Sequence, residues 1–357
     1  MRLPDNLYFC RVNSLSVRSE EYDVKILPRN RKPSQDFETM KKAIIIPIAV
    51  LATVLAIVIG GSFYMLGYSL NADPNRHDTD SAWADLYARV PDMRPWVDSL
   101  TDKRLLRDTF VTMPSGERHH ALYLRSDSAR GNTAVIVHGY KDSAPKFLFL
   151  GRMYHRDLGY NILMPDLHAH GQSEGDYIQM GWKDRMDIRH WTEVAERLFR
   201  DSISPSRIVV HGVSMGAATT MCLSGEPNLP SYIRCFVEDC GYISVWDEFA
   251  LQLKEQFSLP EFPVMHTASL LCRLRHGWSF GEASPISQVA RCRRPMLFIH
   301  GDADSFVPYS MLAPLYKSKP QPKMQWTAKG SEHARAYIDH PEEYTATIRR
   351  FLAEANP

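Results

Sequence analysis

The chain has 357 residues, 44% of them hydrophobic and 11% aromatic, which suits one large or two smaller domains with a sizeable core and excludes a fibrous or broadly disordered protein. Lys and Arg number 42 against 41 Asp and Glu, so the formal charge of +1 gives no general attraction to nucleic acid, and none is expected as a partner. The six cysteines, Cys10, Cys222, Cys235, Cys240, Cys272 and Cys292, are dispersed without a Cys-x-x-Cys pair, which argues against a disulfide framework and a zinc module.

Residues 1–39 are polar, lack a clear period and carry Pro4, Pro28 and Pro33, so they read as a disordered cytoplasmic tail. Next comes an anchor over about 40–70. Its heart, Ala43 to Leu66, is 24 residues without a charge, and about 20 apolar residues cross a bilayer as a helix. The run is longer than the apolar core of a secretory signal, and Gly67 to Ala72 offers no clean small-x-small cleavage site, so an uncleaved signal-anchor is expected. Lys41 and Lys42, with Arg29, Arg31 and Lys32 behind them, flank its N-terminal side, whereas the first basic residue beyond it is Arg76. The positive-inside bias then gives a single-pass protein of the cell membrane with the C-terminal bulk outside the cytoplasm. Met40-Lys41-Lys42 also has the form of an export start, which leaves Met40 as an alternative initiator and residues 1–39 as a mis-annotated start.

Residues 71–104 read as a polar linker, Asn71 to Asp80, followed by a helical stretch from about Ser81 to Ser99 containing Trp83, Leu86, Tyr87, Val90 and Trp96. From Leu105 onward short apolar runs alternate with amphipathic stretches. Eight candidate strands result: Asp108–Met113, His120–Arg125, Thr133–Val137, Asn161–Met164, Ile208–His211, Ile233–Glu238, Met296–His300 and Lys323–Thr327. The stretch Trp182–Arg200 has a helical pattern in which Met186, His190, Val194 and Leu198 recur at four-residue steps. Such alternation predicts a mostly parallel sheet covered by helices on both faces, with the first two strands joined as a hairpin through Pro114 to Glu117. Between the sixth and seventh strands, about 241–285, Trp246, Phe249, Leu253 and Phe257 recur near helical spacing and mark an inserted helical cap.

Gly212-Val-Ser214-Met-Gly216 lies between a β-branched run, Arg207 to His211, and a small-residue stretch, Met215 to Leu223. Strand, tight turn and helix are the setting in which a Gly-x-Ser-x-Gly serine becomes a nucleophile, so Ser214 is the candidate. A serine hydroxyl needs a positioned base, itself oriented by a carboxylate. The seventh strand runs into His300-Gly-Asp302-Ala-Asp304, whose two aspartates compete evenly as that carboxylate, and His333 follows the last strand in a loop suited to a base. For an oxyanion hole, the N–H groups of Met215 and of Tyr140, after the His138-Gly139 turn, are placed by sequence. His-Gly recurs at 138–139, 211–212 and 300–301, each time after an apolar run, which favours one shared functional edge.

With HGY at 138–140, DLHAHGQSEG at 166–175, GVSMG at 212–216, HGDADSFVP at 300–308 and SEHA at 331–334, the region from about Leu105 to Asn356 resembles α/β-hydrolase-fold serine hydrolases, in particular bacterial membrane-anchored, esterase-like members. The resemblance implies an α/β-hydrolase catalytic domain over 105–357 and makes Asp304, rather than Asp302, the acid of a triad with Ser214 and His333. It departs from the family at His168 and Ala169, where Arg and Gly are common. His168-Ala-His170 lacks an evident third ligand, so a structural role is expected, and neither a metal nor a cofactor is implied. The reading is a serine hydrolase of the carboxylesterase type acting on a small-molecule ester, thioester or amide, its natural substrate and oligomeric state open. A catalytically idle membrane-tethered binding protein and an envelope acyltransferase with the same triad are the alternatives.

Overall fold

A computed structural model describes residues 35 to 355, and the chain divides into two compact units at Val54 and Leu55. The first unit contains the start of a long helix, α1 (Gln35–Leu70). No Pro or Gly interrupts Gln35 to Lys42, so residues 35–39, expected in the tail, are helical, while residues 1–34 of that tail lie outside the described residues. Among the described residues α1 is the one helix long and apolar enough to cross a membrane, and its side chains from Met40 to Ile57 are exposed.

In the second unit α1 changes character, with Ser62, Leu66 and Leu70 buried at four-residue steps and the latter two joined to the core. The expected linker therefore follows a helix end that is already packed. Leu70 accepts a hydrogen bond from the Ile178 N–H at 2.7 Å, and Asn71 bridges to Tyr177. The helical stretch expected over Ser81–Ser99 is two helices, α2 (Thr79–Arg89) and α3 (Met93–Asp102). Pro91 causes the break, because the residue before a proline is pushed out of the helical region, and Val90 sits at φ −138°, ψ 80°.

All eight expected strands are present: β1 (Arg107–Thr112), β2 (Arg118–Leu124), β3 (Asn132–Val137), β4 (Asn161–Pro165), β5 (Arg207–Val213), β6 (Ile233–Asp239), β7 (Met296–Gly301) and β8 (Lys323–Ala328). They form one sheet in the order β1-β2-β4-β3-β5-β6-β7-β8. The hairpin β1–β2 and the β2–β4 pair are antiparallel, and every other pair is parallel. Alternating residues of the inner strands feed two cores, Val135 and Val137 one of them, Ala134 and Ile136 the other. Burial on both faces is what a parallel sheet requires.

Helix α4 (Asp184–Phe199) covers the first core with a face that takes in part of the expected row, Val194 being buried and Leu198 packed against the core. Ile188, Trp191, Ala195 and Phe199 are buried, while Met186 is 43% exposed. Four-residue steps drift about 40° each around a helix of 3.6 residues per turn, so a strict i+4 row leaves the contact face that mixed i+3 and i+4 spacing holds. The same core is covered by α5 (Met215–Ser224) and by the insertion, which forms two helices, α6 (Val245–Phe257) and α7 (Val264–His276). The closing helix α8 (Pro341–Ala355) buries Tyr344, Ile348 and Phe351 in the second core. The five described cysteines are buried and unpaired, consistent with small apolar fillers.

Several carboxyls are buried where β6 ends. Glu238 is fully buried, one oxygen accepting the Gly241 N–H at 3.1 Å and the other without a partner, and burial pushes its pKa up to about 8. The folded state thus keeps a proton that the unfolded chain releases near the ordinary glutamate value of 4.5. The stability this group permits is intact below that value and is lost as pH rises through about 8. Glu238→Gln, which needs no such proton, is expected to gain on the wild type as pH rises. Denaturation midpoints of the full chain in detergent, taken at pH 5 and pH 9, should show a larger advantage at pH 9, and an equal or smaller one refutes the assignment.

Candidate active site

The sharpest local feature lies between β5 and α5. Ser214 has φ 57° and ψ −119°, a region that costs a non-glycine residue on the order of 1–3 kcal/mol. Its neighbours make the turn possible, because a Cβ on Gly212 would come 1.9 Å from the Gly216 carbonyl oxygen and one on Gly216 would come 2.1 Å from that of Val137. The Ser214 N–H is held by the Asp239 carbonyl at 2.8 Å, which ties the turn to the end of β6. The serine side chain is thereby thrust up at the C-terminal edge of the sheet.

Two other loops leave that edge. Ser214 Oγ lies 2.8 Å from His333 Nε2, and His333 Nδ1 lies 2.7 Å from Asp304 Oδ2. The fold brings the three sequence candidates into one hydrogen-bonded line. The other oxygen of Asp304 accepts the N–H groups of Phe306 and Val307, each at 3.0 Å, so the carboxylate is aimed by its own loop. Burial pushes this carboxyl up, but hydrogen bonds and charge from His300 and His333 outweigh it and hold the pKa down to about 2. Asp304 is therefore ionised across the neutral range. Asp302 takes the other part, accepting the Gly330 N–H at 2.6 Å and shaping the loop that carries His333. Phe306 packs against the histidine with ring centroids 5.0 Å apart.

Ser214 and Met215 open into a cavity of about 230 Å³ walled by Tyr140, Met180, Tyr242, Phe249 and Phe306. Met215 is the first residue of α5, where backbone N–H groups point outward, and Tyr140 follows β3 through the His138-Gly139 turn. Both expected N–H donors thus belong to residues on the wall that holds the serine. A larger cleft of about 700 Å³ beside α4 contains none of Ser214, Asp304 and His333, and the smaller cavity is the one with the chemistry.

Sequence reasoning missed several members of this wall, Met180, Tyr242, Gln252 and Gln256 among them. Tyr68 and Ser69, from the end of α1, line the cavity, as does Glu248 of α6. One Glu248 oxygen accepts from Gln252 at 3.0 Å, the other has no partner, and burial raises its pKa to about 7. Glu248 therefore titrates close to neutral pH, and in its protonated form it can donate a hydrogen bond. The aromatic and polar pattern at Trp246–Phe257 carried the signal for Glu248, whereas nothing in an apolar anchor signals a pocket wall.

The three His-Gly histidines share the expected edge but are internal connectors. His138 Nε2 accepts the Leu167 N–H at 3.0 Å, and His300 Nε2 donates to the Val307 carbonyl at 2.9 Å. His211 lies between Tyr154, 3.1 Å from Nδ1, and Tyr344, 2.9 Å from Nε2. Since Tyr344 donates its proton to Asp239 at 2.9 Å, the His211 proton sits on Nε2, an assignment from the network. Burial lowers its pKa to about 3, so it is neutral. In the 166–175 loop, Asp166 binds the Ala144 and Gln172 N–H groups at 2.7 and 2.9 Å and His120 Nδ1 at 2.7 Å. His168 contacts the Tyr177 carbonyl and Glu117, while His170 contacts the His168 carbonyl and the Lys141 N–H, so these rings serve loop structure. Cys240 stands close enough to Asp304 and His333 to suggest a metal cluster, but burial lifts its thiol well above the usual range, and a protonated thiol is a poor ligand.

The chain is similar to known proteins in sequence and in fold. The chain is 30% identical over 225 residues to the uncharacterized protein YqkD of Bacillus subtilis, 63% of this chain and 72% of that protein. It is 24% identical over 259 residues to the alpha/beta hydrolase domain-containing protein WAV2 of Arabidopsis thaliana, 71% of this chain and 80% of that one. In fold it is similar to the Pyrococcus furiosus esterase Pf2001, with a TM-score of 0.57 and 22% identity over 72% of this chain and 96% of the esterase. It is also similar to the Pyrococcus horikoshii acylaminoacyl peptidase, with a TM-score of 0.54 and 16% identity over 72% of this chain and 43% of the peptidase. The model of the alpha/beta hydrolase family matches residues 134–347, from β3 into α8 and across every loop that carries the site, and the chain belongs to that family.

Proposed function

We propose that the chain is a serine hydrolase that cleaves a carboxylic ester through an acyl-enzyme on Ser214. The observation that carries this reading is the unbroken line from Ser214 Oγ through His333 to Asp304, with contacts of 2.8 and 2.7 Å. His333 takes the serine proton as Oγ bonds to the ester carbonyl carbon. The negative charge that develops on the carbonyl oxygen is met by the N–H groups of Met215 and Tyr140. Collapse breaks the bond to the alcohol, which leaves with the proton from His333, and water then repeats the sequence to release the acid and restore Ser214. Asp304, ionised and fixed by Phe306 and Val307, keeps the His333 proton on Nδ1 and stabilises the imidazolium.

The fold relative named an esterase supports the ester class, and the apolar cavity suits an acyl group. Residues 105–357 are the catalytic domain in this reading and 40–70 its anchor. Arg29, Arg31, Lys32, Lys41 and Lys42 on the N-terminal side of the apolar run support a catalytic domain outside the cytoplasm.

A fluorophosphonate is expected to label the wild-type chain and not Ser214→Ala, and labelling that survives the substitution removes Ser214 from the role. His333→Ala is expected to lower kcat/KM for a short 4-nitrophenyl ester by about 10³-fold or more, because triad members act as a unit. Asp304→Asn should cost a comparable factor, on the order of 10³ to 10⁴, by releasing the wrong tautomer. Asp302→Asn, which touches only the loop, should cost far less in the same assay, and parity between the two aspartates overturns the assignment.

A further inference from the structure

The anchor helix is part of the cavity wall. Tyr68 and Ser69 line the same space as Ser214. Tyr140, whose N–H is the proposed oxyanion donor, gives its hydroxyl proton to the Ser69 carbonyl at 2.9 Å, and Tyr68 donates to Gln256 of α6 at 2.8 Å. The Tyr68 ring also meets Phe257 edge-on at 5.4 Å. Both the oxyanion strand and the cap therefore close directly on α1.

A second contact fixes the depth of the cap. Ser62 Oγ donates to the Val264 carbonyl, the first residue of α7, at 3.2 Å. Ser62 lies inside the uncharged run that ends at Leu66, four residues or about 6 Å before that end. The turn into α7 is thus held where α1 is still apolar. That turn carries Leu259, 41% exposed, and Phe262, 71% exposed. From Phe262, just before α7, a row of exposed side chains continues at four-residue steps through His266, whose ring meets Phe262 at 5.5 Å, to Leu270 and Leu274, which are 56% and 76% exposed, drifting about 40° per step around the outer side of the helix. Large exposed apolar side chains aligned in this way mark a surface that is covered in use. Its continuity with α1 supplies the occupant, a lipid surface, and the exposed Arg273 and Arg275 beside the row suit the phosphate of lipid headgroups.

We infer that the cap rests on the membrane and that the Ser214 cavity draws its substrate from the bilayer, the substrate being a long-chain acyl ester carried by a membrane-resident amphiphile. This rests on the hydrolase reading of the site. The cavity, lined by Tyr68 of α1 and by Gln252 and Gln256 of α6, takes the ester and the first part of the acyl chain on the side of the protein that meets the lipid.

The full chain reconstituted in phosphatidylcholine vesicles is assayed with 4-nitrophenyl palmitate dissolved in the bilayer and with 4-nitrophenyl acetate in solution. The wild type is expected to cleave both. The double variant F262D/L274D, altered only at exposed positions outside the cavity, is expected to lose about tenfold or more on the palmitate and to stay within about twofold on the acetate, because two buried apolar contacts with lipid are removed. Cleavage of acetate without palmitate by the wild type, or unchanged palmitate activity in the variant, overturns the inference and leaves the hydrolase reading standing. Equal loss on both esters shows a structural lesion or a covering protein rather than lipid docking, and also overturns it. If the wild type cleaves neither ester and takes no fluorophosphonate, the hydrolase reading itself has failed.

Discussion

Everything at this site depends on one close approach, that of β5 to α5 across Gly212 and Gly216. With a Cβ on Gly212 falling 1.9 Å from a backbone oxygen, no other residue fits there without moving the helix. The approach forces Ser214 to φ 57°, and that conformation points its side chain out of the sheet edge instead of into either core. The cost of the strained residue is met by surroundings that leave it no alternative: the Asp239 carbonyl on its N–H, a helix fully buried from Met215 to Ser224, and the parallel neighbours β3 and β6 on both sides. The positions of Asp304 and His333 follow from the same order of strands. β7 and β8 lie beyond β6 and run parallel to β5, so the loops that leave their ends come out at the same edge.

Around that edge the protein buries polar groups in two different ways. Asp304 is buried with four hydrogen-bonding partners or near neighbours, two backbone N–H groups and two histidines, and stays ionised. Glu238 and Glu248 are buried with one oxygen each unpartnered, and burial favours their protonated forms. The difference is a matter of donors rather than depth. It gives the site a fixed negative charge at Asp304, next to the histidine that becomes positive in the proposed reaction, while at Glu248 burial favours the proton.

The eight strands, the hairpin, the inserted helices and the loops that carry Ser214, Asp304 and His333 were legible because each rests on a local pattern: β-branched runs, glycines flanking a serine, polar loops after buried strands. Asp302 and Asp304 were separable only through a family resemblance, since both stand in the same loop and the distinction lies in which carboxylate meets His333 and which meets Gly330. The buried face of α4 was legible only in part, at Val194 and Leu198, because a row of i+4 residues is not a straight stripe and Met186 falls outside the contact face that Trp191 occupies. The break at Pro91 could have been read from the proline alone. Tyr68, Ser69 and the Tyr154–His211–Tyr344 line were not legible at all, because they join segments far apart in sequence through single hydrogen bonds. No period or composition records such contacts.

The same contacts decide what kind of anchor α1 is. A tether can be separated from its cargo by a spacer without consequence, and the polar stretch 71–80 has the composition of one. Here the helix has already delivered Leu66 and Leu70 to the core before that stretch begins, and Leu70 supplies the carbonyl that binds the Ile178 N–H. A chain shortened to begin after Leu70 would leave that N–H and the Tyr140 hydroxyl without their present acceptors, and it would open the cavity on the side where Tyr68 and Ser69 now stand. Each loss falls within one or two residues of the cavity wall, on Tyr140 itself and on Ile178 beside Met180. The C-terminal end of α1 is therefore a structural part of the cavity wall.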